Sequence, residues 1–175
     1  MTSSVDAVQV ISHRLEADAE VPNNPRLPLL AYPGAVRPTG SDPASIFERL
    51  FEANDWVGCW RDGIFAFHHY HSTAHEVLGI YCGTARAQLG GENGITLTLN
   101  PGDVLIIPAG VAHKRLSPGA GLGVVGAYPS GQSPDTCRAG AGACQQAATR
   151  VARVPVPRCD PVYGPGGPMC EHWIR

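Results

Sequence analysis

Between Gly63 and Tyr128, apolar and polar residues alternate in short runs separated by turn residues, which predicts a β-rich body. In the run Gly63-Ile64-Phe65-Ala66-Phe67-His68-His69, strand alternation puts Phe65, Phe67, His69 and His71 on one face. Ser72-Thr73-Ala74 reads as a turn, after which Glu76 opens a second strand to Cys82. Gly90-Gly91-Glu92-Asn93-Gly94 is the strongest hairpin signal in the chain. Ile95–Leu99 alternates cleanly, as a strand with one solvent face does. Val104–Ile107 is apolar on both faces, so a helix or a second subunit should cover its outer side. Gly121 to Tyr128 forms a further apolar strand.

Outside this body the pattern changes. The first forty residues are rich in proline and small apolar residues and read as an extended arm. Ser41-Asp42-Pro43 then signals a helix start, with Ile46, Phe47, Leu50 and Phe51 on one face and an end near Asn54-Asp55. Past Pro129 the chain reads as loop, with a short helix near Cys144–Arg150 and a Pro/Gly-rich tail. One domain is expected over 1–175, made of an arm (1–40), a β-barrel core (58–128) and a loop-rich extension (129–175). At 175 residues such a domain can bury a sizeable core.

Composition narrows the function. A net charge of -2 leaves no basic footprint for nucleic acid or an anionic membrane, and no helix-turn-helix segment accompanies the strands. No apolar run approaches the length of a membrane span. The N-terminus lacks a basic region followed by an apolar stretch, so a cytoplasmic location is expected. Six cysteines without a secretion signal are expected to be free thiols, and their spacing does not match a zinc knuckle.

The candidate chemistry lies in His69, His71, Glu76 and His113, three imidazoles and a carboxylate carried on predicted strands. Neutral imidazole and carboxylate together suit divalent Fe, Mn, Zn, Ni or Cu, and no thiolate is placed to favour a softer ion. Adjacent strands can bring such ligands together inside a barrel without ordering a loop.

The spacing of these residues resembles a known family. Gly63-(five residues)-His69-Tyr70-His71-(four)-Glu76-(six)-Gly83 is similar to the first signature motif of the cupins. Gly102-(five)-Pro108-Ala109-Gly110-(two)-His113 is similar to the second, although Ser117 stands where that motif often closes with Asn. Pro22-Asn23-Asn24-Pro25, His68–Thr73, Gly126–Pro129 and Asp160–Gly164 extend the resemblance to the bacterial YjlB-type cupins. The resemblance implies an all-β cupin jelly-roll β-barrel with one or two peripheral helices and a metal held by His69, His71, Glu76 and His113. It implies no substrate.

Neighbouring residues are assigned by strand parity. His75 precedes Glu76, where a shorter spacing after His71 would place a ligand in its stead; with Glu76 as the ligand, His75 should face the other way, as a rim group, a group orienting a ligand, or an exposed turn histidine. His68 and Tyr70 should face away from the metal. Ala85, Ala87 and Leu89 form the inward set of their strand, with Gln88 as an alternative hydrogen-bonding group near the metal. Phe65, Phe67 and Tyr81 could wall an apolar pocket, and Lys114 or Arg115 could meet an anionic substrate at its mouth.

No Gly-x-Ser-x-Gly elbow, phosphate loop or dinucleotide fingerprint is present. The leading expectation is a metalloenzyme acting on a small organic molecule; the resemblance of three His plus one Glu to the sites of cupin dioxygenases implies dioxygenase-like chemistry, with Glu76 also serving as a catalytic base. The alternatives are a metal-dependent isomerase or decarboxylase, and a non-catalytic module that binds a small molecule or metal. A homodimer is expected from the doubly apolar strand at Val104–Ile107.

Overall fold

The computed structural model describes residues 9–117, 119–140 and 142–174. In chain order the first elements are β1 (Ile11–His13), β2 (Leu29–Tyr32), α1 (Ala44–Ala53), β3 (Trp56–Asp62), β4 (His69–Tyr70) and β5 (Glu76–Cys82). The central hairpins comprise β6 (Ala85–Leu89), β7 (Ile95–Leu99), β8 (Val104–Ile107), β9 (His113–Arg115) and β10 (Gly123–Pro129). The last third adds β11 (Cys137–Arg138), α2 (Cys144–Val151), β12 (Cys159–Asp160), β13 (Gly164–Pro165) and α3 (Pro168–His172).

Two antiparallel sheets form the body, ordered β1-β2-β8-β5-β10-β3 and β11-β4-β9-β6-β7. Between them lies a core of alternating inward residues: Leu78, Ile80, Leu105, Ile107 and Val124 from one sheet, and Ala87, Leu89 and Leu99 from the other. This is the jelly-roll that the resemblance implies, built as two facing sheets with no hydrogen-bonded ladder joining them among the described residues.

The outer face of the six-stranded sheet carries a second core. Val77, Val104, Ile106, Val125 and Ala127 pack there against Phe47 and Phe51 of α1 and against Met169 and Trp173 at the C-terminus. Both faces of β8 are thus buried within one chain, so this strand does not need a second subunit to cover it. Helix α1 places Phe47 and Phe51 on its buried face, with Ile46 and Leu50 partly buried beside them. Pro43 occupies the N-cap position instead of the first helical turn.

Three other expectations change. The N-terminal arm supplies β1 and β2, which extend the sheet through β8, with Leu29 and Ala31 buried in one core and Leu30 and Tyr32 in the other. Residues 63–68 are not strand, and β4 is two residues long. The extension carries the expected helix, α2, and also the short α3, giving three helices in all among the described residues. The Gly90–Gly94 segment does turn β6 into β7, with Leu89 paired to Ile95.

Candidate metal centre

His69 on β4 and His113 on β9 are direct register partners in the five-stranded sheet. His71 follows β4 by one residue, on the same side of the chain as His69. Their ring nitrogens converge, one ligand atom from each lying within 4.8 Å of the other two. Glu76 arrives from the opposite sheet as the first residue of β5. Its Oε2 lies 3.2 Å from His71 Nε2 and 3.1 Å from His113 Nε2. All four side chains are buried.

The turn leading into His113 is held from several sides. Gly110 has φ +90° and donates its N–H to the His71 carbonyl. A Cβ there would meet the Asn23 carbonyl oxygen at 2.3 Å, so only glycine fits. Asn23 accepts the Ala112 N–H and donates to the Glu16 and Gly90 carbonyls, while Asn24 donates to the Ala109 carbonyl. The Pro22–Pro25 segment is thereby a clamp on the turn that carries His113.

Hydrogen bonding fixes which nitrogens face inward. Nδ1 of His71 lies 2.5 Å from the Asp135 carbonyl and Nδ1 of His113 lies 3.0 Å from the Val111 carbonyl. A carbonyl oxygen only accepts, so both Nδ1 atoms carry the proton in the neutral ring and both Nε2 atoms present lone pairs. These lone pairs face Glu76 Oε2, itself a buried acceptor without an aligned donor. Three acceptors at this range repel unless a cation lies among them. In the metal-free protein a proton fills that role. Burial opposes the His71 imidazolium, but the Glu76 carboxylate and the Asp135 carbonyl outweigh it and lift the group to about 8. Burial likewise opposes ionised Glu76, yet the charge on His71 and the adjacent His113 ring hold its carboxyl well below the usual range. Burial first, then the neighbouring His113, depresses His69 to about 3, which keeps it a neutral ligand. Lone pairs converging from neutral imidazoles beside an ionised carboxylate fit a divalent first-row metal.

A cavity of about 730 Å³ opens above these groups. Trp60, Ile64, Leu78 and Leu122 supply apolar wall, and Phe65, which is 52% exposed, sits at the rim. Phe65 stacks on Phe67 and meets the edge of His69, so the expected common strand face for these aromatics is corrected to a stacked loop. Tyr81 packs in the outer core and does not reach the cavity. Tyr128 does reach it, accepting the Trp60 indole N–H at 2.9 Å and packing its ring against His71. Burial first, then the Glu76 charge, pushes the Tyr128 phenol above its ordinary range, so it holds its proton at neutral pH.

Parity accounts for the other neighbours. His75 is fully buried on the face opposite Glu76, against Trp173, and its Nδ1 accepts the Ala109 N–H at 2.8 Å. It is neither a rim group nor an exposed turn residue, but a tie between β5 and the turn before His113. Gln88 faces outward and donates to the Glu92 carbonyl, whereas Ala85, Ala87 and Leu89 point inward as expected. Lys114 also points outward and is paired to Glu92 at 2.6 Å, with His68 on the same carboxylate at 3.2 Å. Arg115 lines the cavity. All six cysteines are free. Among the described residues no helix is long and apolar enough to cross a membrane.

Trp60, Tyr128 and Asp135 were not singled out from the sequence. The one available signal was the Gly126–Pro129 resemblance, which contains Tyr128 and carried no role.

Residues 61–130 match the model of the cupin family. The uncharacterized protein YjlB of Bacillus subtilis is 35% identical over 158 residues, covering 90% of this chain and 93% of its own. Among solved structures, an acireductone dioxygenase from Bacillus anthracis with cadmium in its active centre aligns at 15% identity. That alignment has a TM-score of 0.39 and covers 53% of this chain and 63% of the other. A vicilin from Solanum melongena aligns at 22% identity and TM-score 0.37, covering 46% and 24% respectively. The chain thus spans less than two-thirds of either solved protein. The two signature motifs, folded into one three-histidine cluster, and the near full-length identity to YjlB lead to one conclusion: the chain belongs to the bacterial YjlB-type cupins.

Proposed function

We propose that this cupin is a metalloenzyme acting on a small organic molecule, with His69, His71, His113 and Glu76 holding a divalent metal and dioxygenase-type chemistry taking place above it. The observation that carries the reading is the set of opposed acceptors, Nε2 of His71 and His113 against Glu76 Oε2, at the floor of a cavity large enough for a substrate. A redox-active divalent metal bound there supplies Lewis acidity and electron transfer between an organic substrate and dioxygen.

The chain's own residues do the rest. Trp60, Ile64, Leu78 and Leu122 exclude bulk water, which strengthens charge interactions on the cavity floor. Glu76 lies on the cavity floor beside the histidines and is the carboxylate within reach of an acidic proton on a bound enediol or phenol. Tyr128 keeps its proton and is oriented by the Trp60 indole, so it can donate a hydrogen bond to an oxygen of the bound molecule. With no flavin or nicotinamide fingerprint in the chain, the reading favours substrates that are themselves electron-rich.

The test is metal analysis of protein purified without chelators, followed by oxygen uptake by the iron- or manganese-loaded protein. The panel is enediols, 1,3-diketones and phenols, with His113→Ala as control. Uptake abolished in the control supports the reading. Conversion of a compound without oxygen uptake moves the assignment to an isomerase or decarboxylase, and binding without conversion moves it to a non-catalytic binding protein.

A further inference from the structure

Arg115 stands two residues after His113 on β9, on the same inward face, roughly 7 Å along the strand. Its guanidinium is fixed but not neutralised: Nη1 donates to the Ser117 carbonyl at 2.7 Å and Nε to the Ile64 carbonyl at 3.3 Å. Among the described residues no carboxylate forms an ion pair with it. Of the two acidic side chains in the cavity lining, Glu76 belongs to the histidine floor, and Asp62 is exposed and accepts the adjacent Gly63 N–H. Lys114 is paired to Glu92 outside the sheet, so Arg115 is the cation presented to the cavity.

A half-buried guanidinium beside apolar wall, held by neutral acceptors and lacking a counter-ion, retains donors for an incoming anion. Because carbonyls orient it in advance, little side-chain freedom remains to be lost on binding. We propose that the ligand of this cavity is a small organic acid whose carboxylate binds Arg115 while its other end reaches the His69/His71/His113 floor. Only the role of that other end rests on the metalloenzyme reading. The carboxylate contact stands on Arg115 alone. Trp60, Leu78 and Leu122 would cover the hydrocarbon between the two anchors.

The test is calorimetric binding of acid–amide pairs (lactate, mandelate and 3-phenylpropionate, each against its amide) to zinc-loaded and to chelator-treated protein. At least one acid should bind about tenfold or more tightly than its amide, as expected for a charge-assisted contact. Arg115→Gln should bring that ratio close to one while zinc content stays the same, and Lys114→Gln should leave the ratio unchanged. If Arg115→Gln does not fold, Arg115→Lys decides. It keeps the charge but loses the fork geometry, so the ratio should shrink without vanishing. Failure of every acid to outbind its amide overturns the proposal, as does a preference that survives the Arg115 substitutions unchanged. A preference that depends on Arg115 in protein that neither retains metal nor consumes oxygen would keep the organic-acid site and sink the metalloenzyme reading, so the two fail separately.

Discussion

The backbone carbonyl of Asp135 accepts the Nδ1 proton of His71 at 2.5 Å, across 64 residues of sequence. The Asp135 side chain is held in return, by the Ser72 N–H at 2.6 Å and by the Ser72 hydroxyl, which also accepts from Arg150. Asp135 therefore orients the His71 imidazole through its main chain and is itself anchored through its carboxylate. Asp135→Ala should free the carbonyl and weaken metal retention by about 10- to 100-fold while the fold persists. Competition against a chromogenic chelator measures this, and an unchanged affinity would show that the clamp is dispensable.

Removing ligands should separate the floor of the cavity from its surroundings. Alanine at His69, His71 or His113 should abolish stoichiometric metal. Glu76→Gln keeps the shape but loses the charge, and should reduce metal content. His75→Ala should retain metal and lower stability by about 1–3 kcal/mol, because it leaves the buried Ala109 N–H without its acceptor. Metal analysis with thermal melts reads both effects. Loss of metal in His75→Ala but not in Glu76→Gln would make His75 the fourth ligand.

The metal-free protein should be most stable near pH 6.5. Folded His71 is raised to about 8, so its contribution is complete below the unfolded value near 6.5 and is lost as pH rises through 8. That loss amounts to about 2 kcal/mol. His75, depressed to about 3 by burial, acts in the opposite direction. Its contribution is present above 6.5 and falls by up to about 1.4 kcal/mol per pH unit as pH drops toward 3. Denaturant titrations across pH 4–9 test the maximum, and a His71→Gln variant should lose the alkaline limb.

Gly126→Ala should shrink the cavity without touching a ligand. A Cβ at Gly126 would lie 2.1 Å from the Trp60 ring, so the indole must shift and its bond to Tyr128 must loosen. Stability should fall by about 1–3 kcal/mol, as overpacking costs elsewhere. Small-molecule binding should weaken while metal content is unchanged. Equal binding by this variant would show that Trp60 does not shape the cavity.

Legibility followed alternation. The inward set Ala85, Ala87 and Leu89 and the opposite facing of His75 and Glu76 come from a period of two in extended chain, which the structure keeps, and the hairpin at Gly90–Gly94 comes from its turn residues. The same rule failed at Phe65 and Phe67, because residues 63–68 leave the sheet and stack their rings at the rim instead. Strand parity has no meaning where no ladder fixes the pleat. The arm was misread for a related reason. Leu29–Tyr32 is buried at every position, and so carries no alternation to mark it as a strand.

The spacing of two motifs, through their resemblance to the cupins, pointed to the jelly-roll class and to His69, His71, His113 and Glu76, which the structure brings together, because strand periodicity and turn chemistry are local and each motif lies within one or two hairpins. The placement of Trp60, Tyr128 and Asp135 around that set, the choice of Arg115 over Lys114, and the burial of His75 against Trp173 came only with folding. Each depends on which segments, tens of residues apart, pack face to face. That is settled by the joint burial of two cores on either side of one sheet, a property that no local pattern carries.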